Sequence, residues 1–205
     1  MLDSKEKDID IQVTENQIVS ALHDLIDFLT FECIDYALIG GLAVAVRGEP
    51  RSTLDIDVVT DSDVERALKL VKSLAASPFK PYFDGVENVI RTGLLLPLEH
   101  KQTEIRIDVS LGMSGFDKES IANSSPSMIE GRLVKVVSPE YLAVMKQLAA
   151  RPRDLDDIRG ILIRQGEDFD WNLTLRLAKD LSAAIDDDLV TPLMSLRNQH
   201  TDRRA

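Results

Sequence analysis

The stretch Leu54-Asp55-Ile56-Asp57-Val58-Val59 decides the fold, because two aspartates alternate with apolar residues in it. Alternation with a period of two predicts a β-strand, whose two carboxylates project from the same face. The alternating apolar residues are expected to point into the core: Leu54, Ile56 and Val58. Two carboxylates at this spacing repel each other, and a hard divalent cation such as Mg²⁺ relieves that repulsion. Taken alone, an Asp-x-Asp pattern also fits an exposed acidic strand face without a ligand.

Upstream, the apolar segment 36–39 predicts a short buried strand that ends at Gly40-Gly41. Two glycines at the end of a strand let backbone N–H groups approach a phosphate, because no side chain stands in the way. Arg51 and Ser52 lie in the spacer before the aspartates and are further candidates for phosphate binding. A solvated turn arginine is the alternative interpretation of Arg51.

Downstream, alternation over 103–111 predicts a strand that supplies a third carboxylate, paired antiparallel with a strand predicted over 88–96. Glu104 and Asp108 lie on one face of that predicted strand, about 13 Å apart at ~3.3 Å per residue. Only one of them can therefore join the site. Asp108 is favoured because apolar residues flank it on both sides, whereas Glu104 follows a polar residue near the predicted strand start.

Strand, Gly-Gly, spacer, Asp-x-Asp strand and a later strand aspartate together resemble the nucleotidyltransferase superfamily of the DNA polymerase β type. The resemblance implies an α/β fold, with a mixed sheet flanked by helices and a helical C-terminal part. It implies that Asp55 and Asp57 hold two metal ions, Mg²⁺ or Mn²⁺. Asp108 is then expected to bind the catalytic ion and to help deprotonate the attacking hydroxyl, while the Gly40-Gly41 backbone holds the phosphates of an NTP.

A second block narrows the family: Val137-Ser138-Pro139-Glu140-Tyr141-Leu142-Ala143-Val144-Met145-Lys146, continued over 149–158. It resembles the C-terminal signature of AbiEii-like nucleotidyltransferase toxins and their relatives. In that family the lysine at the position of Lys146 reaches toward the nucleotide site, which implies contact with the triphosphate. Lys146 shares a helical stripe with apolar neighbours and so needs an anionic partner. Extension of the side chain past the helix into solvent is the alternative.

The continuation of this block carries two aspartates that resemble a second metal site. Asp154 and Asp157 are three residues apart on a predicted helix and therefore share one face. We expect a structural role instead, in which they fix a helical hairpin by pairing with Arg151, Arg153 or loop amides.

The chain divides into four segments by composition and periodicity: a solvated lead-in over 1–14, a nucleotidyltransferase core over 15–115, a helical C-terminal part over 132–197 and a flexible tail over 198–205. Apolar spacing predicts helices over 15–31, from a cap at Ser62 to about residue 78, from Ser138 to about 150, over 152–163 and over 171–185. Residues 112–131 are rich in Gly, Ser and Asn, which predicts a loop with a short helix.

Composition limits the classes of function. Of 205 residues, 44% are hydrophobic and 29% are charged, which is typical of a globular chain. The net charge of −11 repels polyphosphate at long range and argues against a general nucleic-acid-coating protein.

The single cysteine, Cys33, excludes an intrachain disulfide and a multi-cysteine zinc site, and we expect it to be a small core residue. The histidines share no motif spacing and are expected at surface or helix-face positions: His23, His100 and His200.

The resemblance implies transfer of an NMP from an NTP to an acceptor hydroxyl. The single cysteine makes a reducing cytoplasm the expected location, and no apolar run approaches the ~18 residues of a membrane span. Candidate acceptors are the 3′ end of a tRNA, a protein and a small molecule. The AbiEii resemblance makes a toxin with a cognate antitoxin a candidate role. A non-catalytic relative that binds a nucleotide or a partner protein is the alternative. Hydrolysis is disfavoured, since Asp55 and Asp57 are too close in sequence to flank a scissile bond.

Overall fold

A mixed β-sheet forms the centre of the protein in the computed structural model, which describes residues 3–202 and the side chains of residues 16–199. In chain order the strands are β1 (Tyr36–Ile39), β2 (Asp55–Thr60), β3 (Phe79–Pro81), β4 (Leu95–His100), β5 (Arg106–Leu111), β6 (Ser125–Ile129) and β7 (Arg132–Val136). They form one seven-stranded sheet in the spatial order β3-β4-β5-β2-β1-β7-β6.

Helices flank this sheet and confirm the predicted mixed α/β class. They are α1 (Asp3–Phe31), α2 (Gly40–Arg47), α3 (Val64–Ser73), α4 (Val86–Gly93), α5 (Gly115–Ala122), α6 (Pro139–Ala149), α7 (Pro152–Gln165), α8 (Trp171–Ile185) and α9 (Val190–Asp202). Among the described residues, none of the helices combines the length and the apolar character that crossing a membrane requires.

The strand pairing gathers three strand ends at one edge of the sheet. β2 is antiparallel to β1 and parallel to β5, so the end of β1 lies beside the starts of β2 and β5. One face of these strands packs into the core, where Leu38, Ile56 and Ile107 are completely buried. Side chains at the end of β1 and at the starts of β2 and β5 are therefore held in place by the buried centre of the sheet.

The first helix begins earlier than the sequence indicated. Helix α1 starts at Asp3, within the predicted lead-in over 1–14, and ends at Phe31 as expected. Helix α3 is capped by Asp63 rather than by Ser62, because the Asp63 carboxylate accepts a hydrogen bond of 2.8 Å from the Arg66 backbone N–H.

The strand predicted over 88–96 is wrong. Residues 86–93 form helix α4, which buries Val86 and Ile90 one helical turn apart. Strand β4 follows at Leu95–His100 and overlaps the predicted strand at residues 95 and 96 only, with Leu98 buried against the core. The expected antiparallel pairing with the next strand is confirmed for β4 and β5. Short apolar runs fit either period, and here packing against the sheet decides between them.

Residues 112–136 contain more regular structure than predicted. Helix α5 is the short helix predicted within the loop, whereas strand β6 was not predicted, and β7 pairs with β1 at the start of the segment expected to be helical. The later helices begin at Pro139, Pro152 and Trp171, as their proline and capping signals indicated. Helix α9 continues through Asp202, into the predicted tail over 198–205, of which 203–205 lie outside the described residues. The division into a core and a C-terminal part stays a prediction.

Three predicted burial states are wrong. Leu54 is 74% exposed, because it stands just before β2 rather than within it. Cys33 is exposed in the connection after α1. His100 is completely buried, and its ring nitrogens contact Asp24 Oδ2 at 2.9 Å and Thr103 Oγ1 at 2.8 Å, which offsets the cost of burying the ring. His200 lies outside the residues whose side chains are described.

Candidate functional site

The sheet edge brings the three predicted aspartates together. Asp57 on β2 is the register partner of Asp108 on the parallel strand β5, and Asp55 is the partner of Arg106. Asp55 and Asp57 are two residues apart on the same strand, so their side chains share one face. Glu104 is not on this face, because it lies before β5 with a φ of +60°. The structure therefore separates the two candidates for the third carboxylate, and only Asp108 adjoins Asp57.

Negative charge accumulates at Asp57. Burial and the neighbouring carboxylates of Asp55 and Asp108 raise the pKa of Asp57 to about 6, although Lys146 and the Gly41 backbone N–H act in the opposite direction. An all-carboxylate set of this kind is the oxygen donor set that Mg²⁺ and Mn²⁺ prefer. The chemistry of these donors fits a divalent cation.

The carboxylates nevertheless have protein partners. Arg106 contacts both oxygens of Asp108, with Nε to Oδ1 at 3.2 Å and Nη2 to Oδ2 at 3.0 Å. The Thr53 hydroxyl donates to Asp55 Oδ1 at 2.7 Å. Within the part of the chain that the structure describes, no three acidic, histidine or cysteine side chains have the arrangement of a ready metal site.

The glycine turn packs directly against Asp57. Gly40 has a φ of +66°, and a Cβ there would lie 1.9 Å from Asp57 Oδ2. A Cβ on Gly41 would lie 2.5 Å from Thr53 Oγ1. Both glycines are therefore required by close approach, and the Gly41 N–H donates to the Asp57 carboxylate at the start of α2.

Lys146 is buried in an ion-pair cluster. Its side chain is 5% exposed, and Nζ lies 3.1 Å from Asp154 Oδ1 and 2.8 Å from Asp157 Oδ2. Lys146 lies on the apolar face of its helix and was therefore expected to need an anionic partner. Asp154 and Asp157 are those partners. The alternative in which Lys146 extends into solvent is wrong.

Two arginines complete the cluster. Arg51 lies against Asp157, with Nη2 hydrogen-bonded to Oδ2 at 3.1 Å and Nε at 2.8 Å from Oδ1. The Nε–H is not aimed at a described acceptor, so that second contact is an ion pair only. Arg51 is therefore not a solvated turn arginine. Arg151 contacts Asp154 through its backbone N–H and through Nε, each at 2.9 Å.

Asp154 and Asp157 act as the anionic centre of this cluster. Burial raises the pKa of Asp154, but hydrogen bonds from Arg151 and Lys146 outweigh it and hold the pKa below its ordinary value. The expected pairing of Asp154 with Arg151 is confirmed. The contacts with Lys146 and Arg51 were not anticipated.

Two adjoining cavities open beside the aspartates and share Asp57, Lys146 and Arg151 as lining residues. The first, here called the basic lobe, has a volume of about 620 Å³. It is lined by Gly41, Arg51, Ser52, Thr53, Leu54, Asp55, Arg153 and Asp154 besides the shared residues. The second, here called the apolar lobe, has a volume of about 360 Å³. Its further lining is mainly apolar and comes from β1, α2, β2, β5, α6, α8 and α5 with the residue before it: Ile39, Gly40, Val59, Ser110, Ser114, Phe116, Asp117, Leu142, Met145, Leu148 and Leu181.

Sequence reasoning missed several residues of this site. Arg151 and Arg153 were assigned only to helix pairing, yet both line the basic lobe, and the Arg151 side chain is 70% exposed. Arg106 was missed although it alternates with Asp108 on the same strand face, which was the available signal. Asp117 gave no signal, because nothing in its local sequence places it near Asp57.

A comparison with solved structures shows the fold. The antibiotic-resistance factor ANT(2″)-Ia superposes with a TM-score of 0.57 at 15% identity, covering 83% of this chain and 96% of its own. A structure of ANT(2″)-Ia in complex with adenylyl-2″-tobramycin gives 0.55 at 15% identity, covering 80% and 98%. A nucleotidyltransferase-like antigenic protein from Paracoccidioides brasiliensis gives 0.50 at 20% identity, covering 88% and 92%.

A comparison with curated protein sequences finds no match. The family model described as "nucleotidyltransferase of unknown function (DUF6036)" matches residues 17–204, which is most of the chain. The finer AbiEii-type assignment stays a prediction. The family match spans the glycine turn, the Asp-x-Asp strand and the Lys146 cluster, and the chain therefore belongs to the DUF6036 family of nucleotidyltransferases.

Proposed function

We propose that the protein transfers an NMP from an NTP to an acceptor hydroxyl, with Asp55, Asp57 and Asp108 holding divalent Mg²⁺ or Mn²⁺. The observation that carries this proposal is the register pair of Asp57 and Asp108, with Asp55 on the same face and a basic cavity beside it. The three aspartates thus lie beside a basic cavity that is large enough for a triphosphate. A nucleoside triphosphate with its cation needs both.

The basic lobe is the proposed site for the β- and γ-phosphates. Lys146, Arg51 and Arg151 line it, and their ion pairs with Asp154 and Asp157 hold these cations in place. Ser52 and Gly41 also line the lobe: the Ser52 hydroxyl supplies a neutral donor to phosphate oxygens, and Gly41 has no side chain to obstruct their approach. Lys146 keeps one N–H free for phosphate after its two carboxylate contacts, because an ammonium carries three donors.

The proposed reaction is an in-line displacement at the α-phosphorus. The acceptor oxygen forms the new P–O bond, and the bond from the α-phosphorus to the oxygen bridging to the β-phosphate breaks, so pyrophosphate leaves. The acceptor proton passes to the Asp108 carboxylate and then to water, a step that requires Arg106 to release Asp108 first. When bound, divalent cations stabilise the negative charge on the attacking and leaving oxygens.

A small molecule is the acceptor that the fold comparison supports best. The related ANT(2″)-Ia has been seen with adenylyl-2″-tobramycin, an adenylylated small molecule. The net charge of −11 works against the 3′ end of a tRNA by long-range repulsion. A protein acceptor, and a role as a toxin held by a cognate antitoxin, rest on the AbiEii resemblance alone.

The second candidate is a non-catalytic protein of the same fold that binds a nucleotide or a partner. The Arg106 fork on Asp108 favours it, because an arginine already neutralises the carboxylate that a catalytic ion would need. The two candidates differ in what Asp108 does once a nucleotide and a metal are supplied.

Incubation with each α-³²P-labelled NTP, Mg²⁺ or Mn²⁺ and fractionated cell extract tests the proposal. We expect label to enter one acceptor fraction, with release of pyrophosphate, and to be absent with Asp108→Asn. Nucleotide binding without label transfer or pyrophosphate release under any metal and extract combination would establish the non-catalytic candidate instead.

A further inference from the structure

We propose that the apolar lobe holds the base of the bound nucleotide and that Asp117 selects bases carrying an amino group over uracil. This inference rests on the proposed function, because it assumes that an NTP occupies the adjoining basic lobe. It concerns the part of the nucleotide that the phosphate site does not reach.

The position of the lobe assigns it to the nucleoside. It begins at Gly40, Asp57, Lys146 and Arg151, where the basic lobe ends, so one ligand can continue from one lobe into the other. Asp108 is not among the residues described as lining either lobe. Asp108 is the proposed acceptor of the hydroxyl proton, so the attacking hydroxyl is expected beside Asp108. The nucleoside is then the part of the NTP left for the apolar lobe, which also reaches Asp57 and Lys146.

The walls of the lobe suit a flat ring. Val59 and Ile39 come from the sheet, and Leu142, Met145 and Leu181 face them from α6 and α8. Phe116 adds an aromatic ring that is partly exposed to the cavity. The volume of about 360 Å³ lies within the size of small-ligand sites, about 300–1,000 Å³.

Asp117 supplies the one carboxylate of this lobe apart from Asp57. Its Oδ2 accepts hydrogen bonds from the Ser114 hydroxyl at 2.6 Å and the Ser114 backbone N–H at 3.2 Å, which fixes the side chain at the start of α5. No described residue donates to Oδ1. Asp117 therefore contributes a carboxylate held in a fixed orientation to the wall of the apolar lobe, and its Oδ1 can still accept a hydrogen bond.

A fixed carboxylate discriminates among bases by their hydrogen-bonding edges. Adenine and cytosine present an amino donor, and guanine presents an amino group beside a ring N–H. Uracil flanks its ring N–H with two carbonyl oxygens, which the carboxylate repels. A carboxylate oxygen placed against a carbonyl oxygen leaves both acceptors without a donor, so the uridine nucleotide is expected to bind more weakly.

Equilibrium dialysis with α,β-methylene analogues of the four NTPs and Mn²⁺ tests the inference without requiring turnover. For the wild-type chain we expect at least one amino-bearing analogue to bind about tenfold or more tightly than the uridine analogue. Asp117→Asn converts the acceptor into a mixed donor and acceptor, and the ratio should fall to near one. Glu119→Gln removes the same charge from the same helix outside the lobe, and should keep the wild-type ratio. Ser114→Ala removes the capping hydroxyl but keeps the carboxylate, which tests whether helix capping alone accounts for the effect.

A second variant tests the lobe independently of Asp117. Leu181→Trp fills part of the apolar lobe from α8, and should weaken every nucleotide analogue about tenfold while leaving inorganic tripolyphosphate binding unchanged. Equal affinities for the four analogues, or an unchanged ratio in Asp117→Asn, would overturn the role of Asp117. Unchanged nucleotide binding in Leu181→Trp would overturn the assignment of the lobe.

The outcomes separate this inference from the proposed function. Base-selective binding without transfer to any acceptor supports the lobe and contradicts the enzyme. Transfer with no preference among bases supports the enzyme and contradicts the selection by Asp117. If the protein binds the nucleotide analogues no more tightly than tripolyphosphate, the assignment of the apolar lobe to the base is overturned. If it binds neither kind of ligand, both proposals are overturned.

Discussion

The two charged clusters beside the basic lobe have opposite balances of charge. In the cluster of Lys146, Asp154 and Asp157, each buried carboxylate faces at least two cationic groups, and the arrangement is internally satisfied. At the sheet edge, Arg106 forms an ion pair with Asp108 alone, and burial together with the neighbouring carboxylates of Asp55 and Asp108 raises the pKa of Asp57. The balanced cluster holds helices together, whereas the unbalanced one gains stability only from a ligand.

The largest expected effect is on transfer, at the unbalanced cluster. Asp57→Asn should lower the rate of NMP transfer by at least about a hundredfold, because a shared metal ligand is lost. Its free energy of unfolding without metal should be unchanged or higher, because one of three repelling charges is removed. Label transfer and urea denaturation measure the two effects. A large loss of stability would place Asp57 with the structural residues and contradict the comparison.

The balanced cluster should respond in the opposite way. Asp157→Ala leaves the buried Lys146 and its neighbour Arg51 short of a partner, and breaking such a pair costs about 3–5 kcal/mol. Asp156→Ala is the matched control, because that side chain is 76% exposed and its contact with Arg159 is worth at most about 1 kcal/mol. Urea unfolding of both variants decides the matter, and equal losses would show that Asp157 is no more than a surface partner.

The glycine turn is expected to give a smaller loss of stability. Gly40→Ala forces a side chain into a position 1.9 Å from Asp57 Oδ2 at a positive φ, where strain costs about 1–3 kcal/mol. No described atom lies within 4 Å of a Cβ added at Gly115, so Gly115→Ala serves as the control. Thermal unfolding of the two variants compares them. A Gly40→Ala protein as stable as the control would mean that the turn is looser than its geometry indicates.

The smallest effect is expected at the rejected third carboxylate. Glu104 lies before β5 at a φ of +60°, away from Asp57, so Glu104→Gln should change kcat by less than twofold and stability by about 0.5 kcal/mol or less. Asp108→Asn, on the strand itself, should remove most of kcat. Steady-state kinetics on both variants test the pair. A silent Asp108→Asn with an inactive Glu104→Gln would mean that the site is built on a different register.

Local signals in the sequence were sufficient for the elements that carry the site. The Tyr36–Ile39 strand, the Gly40-Gly41 turn and the helix starts at Pro139 and Pro152 follow from patterns a few residues long. Alternation also placed Asp55 and Asp57 on one face of a strand. These predictions succeeded because glycine conformation, proline geometry and side-chain alternation depend on neighbouring residues only.

Predictions failed where two local interpretations were equally good. The segment 88–96 fits a strand as well as a helix, and the burial of Val86 and Ile90 against the sheet selects the helix. Leu54 continues the strand pattern but is exposed and lines the basic lobe, because the pairing of β2 with β5 starts at Asp55. Packing against distant residues, which the local pattern does not contain, decided both cases.

The sequence by itself determined which residues are charged, which face of β2 carries the two aspartates and where the backbone can turn closely. Only the tertiary structure decided which charges meet. The parallel register of β2 and β5 sets Asp108 beside Asp57, and the packing of α6 and α7 sets Asp157 between Lys146 and Arg51. The physical reason is that electrostatic interactions depend on distance in space, and strand register and helix packing set those distances between residues far apart in the chain.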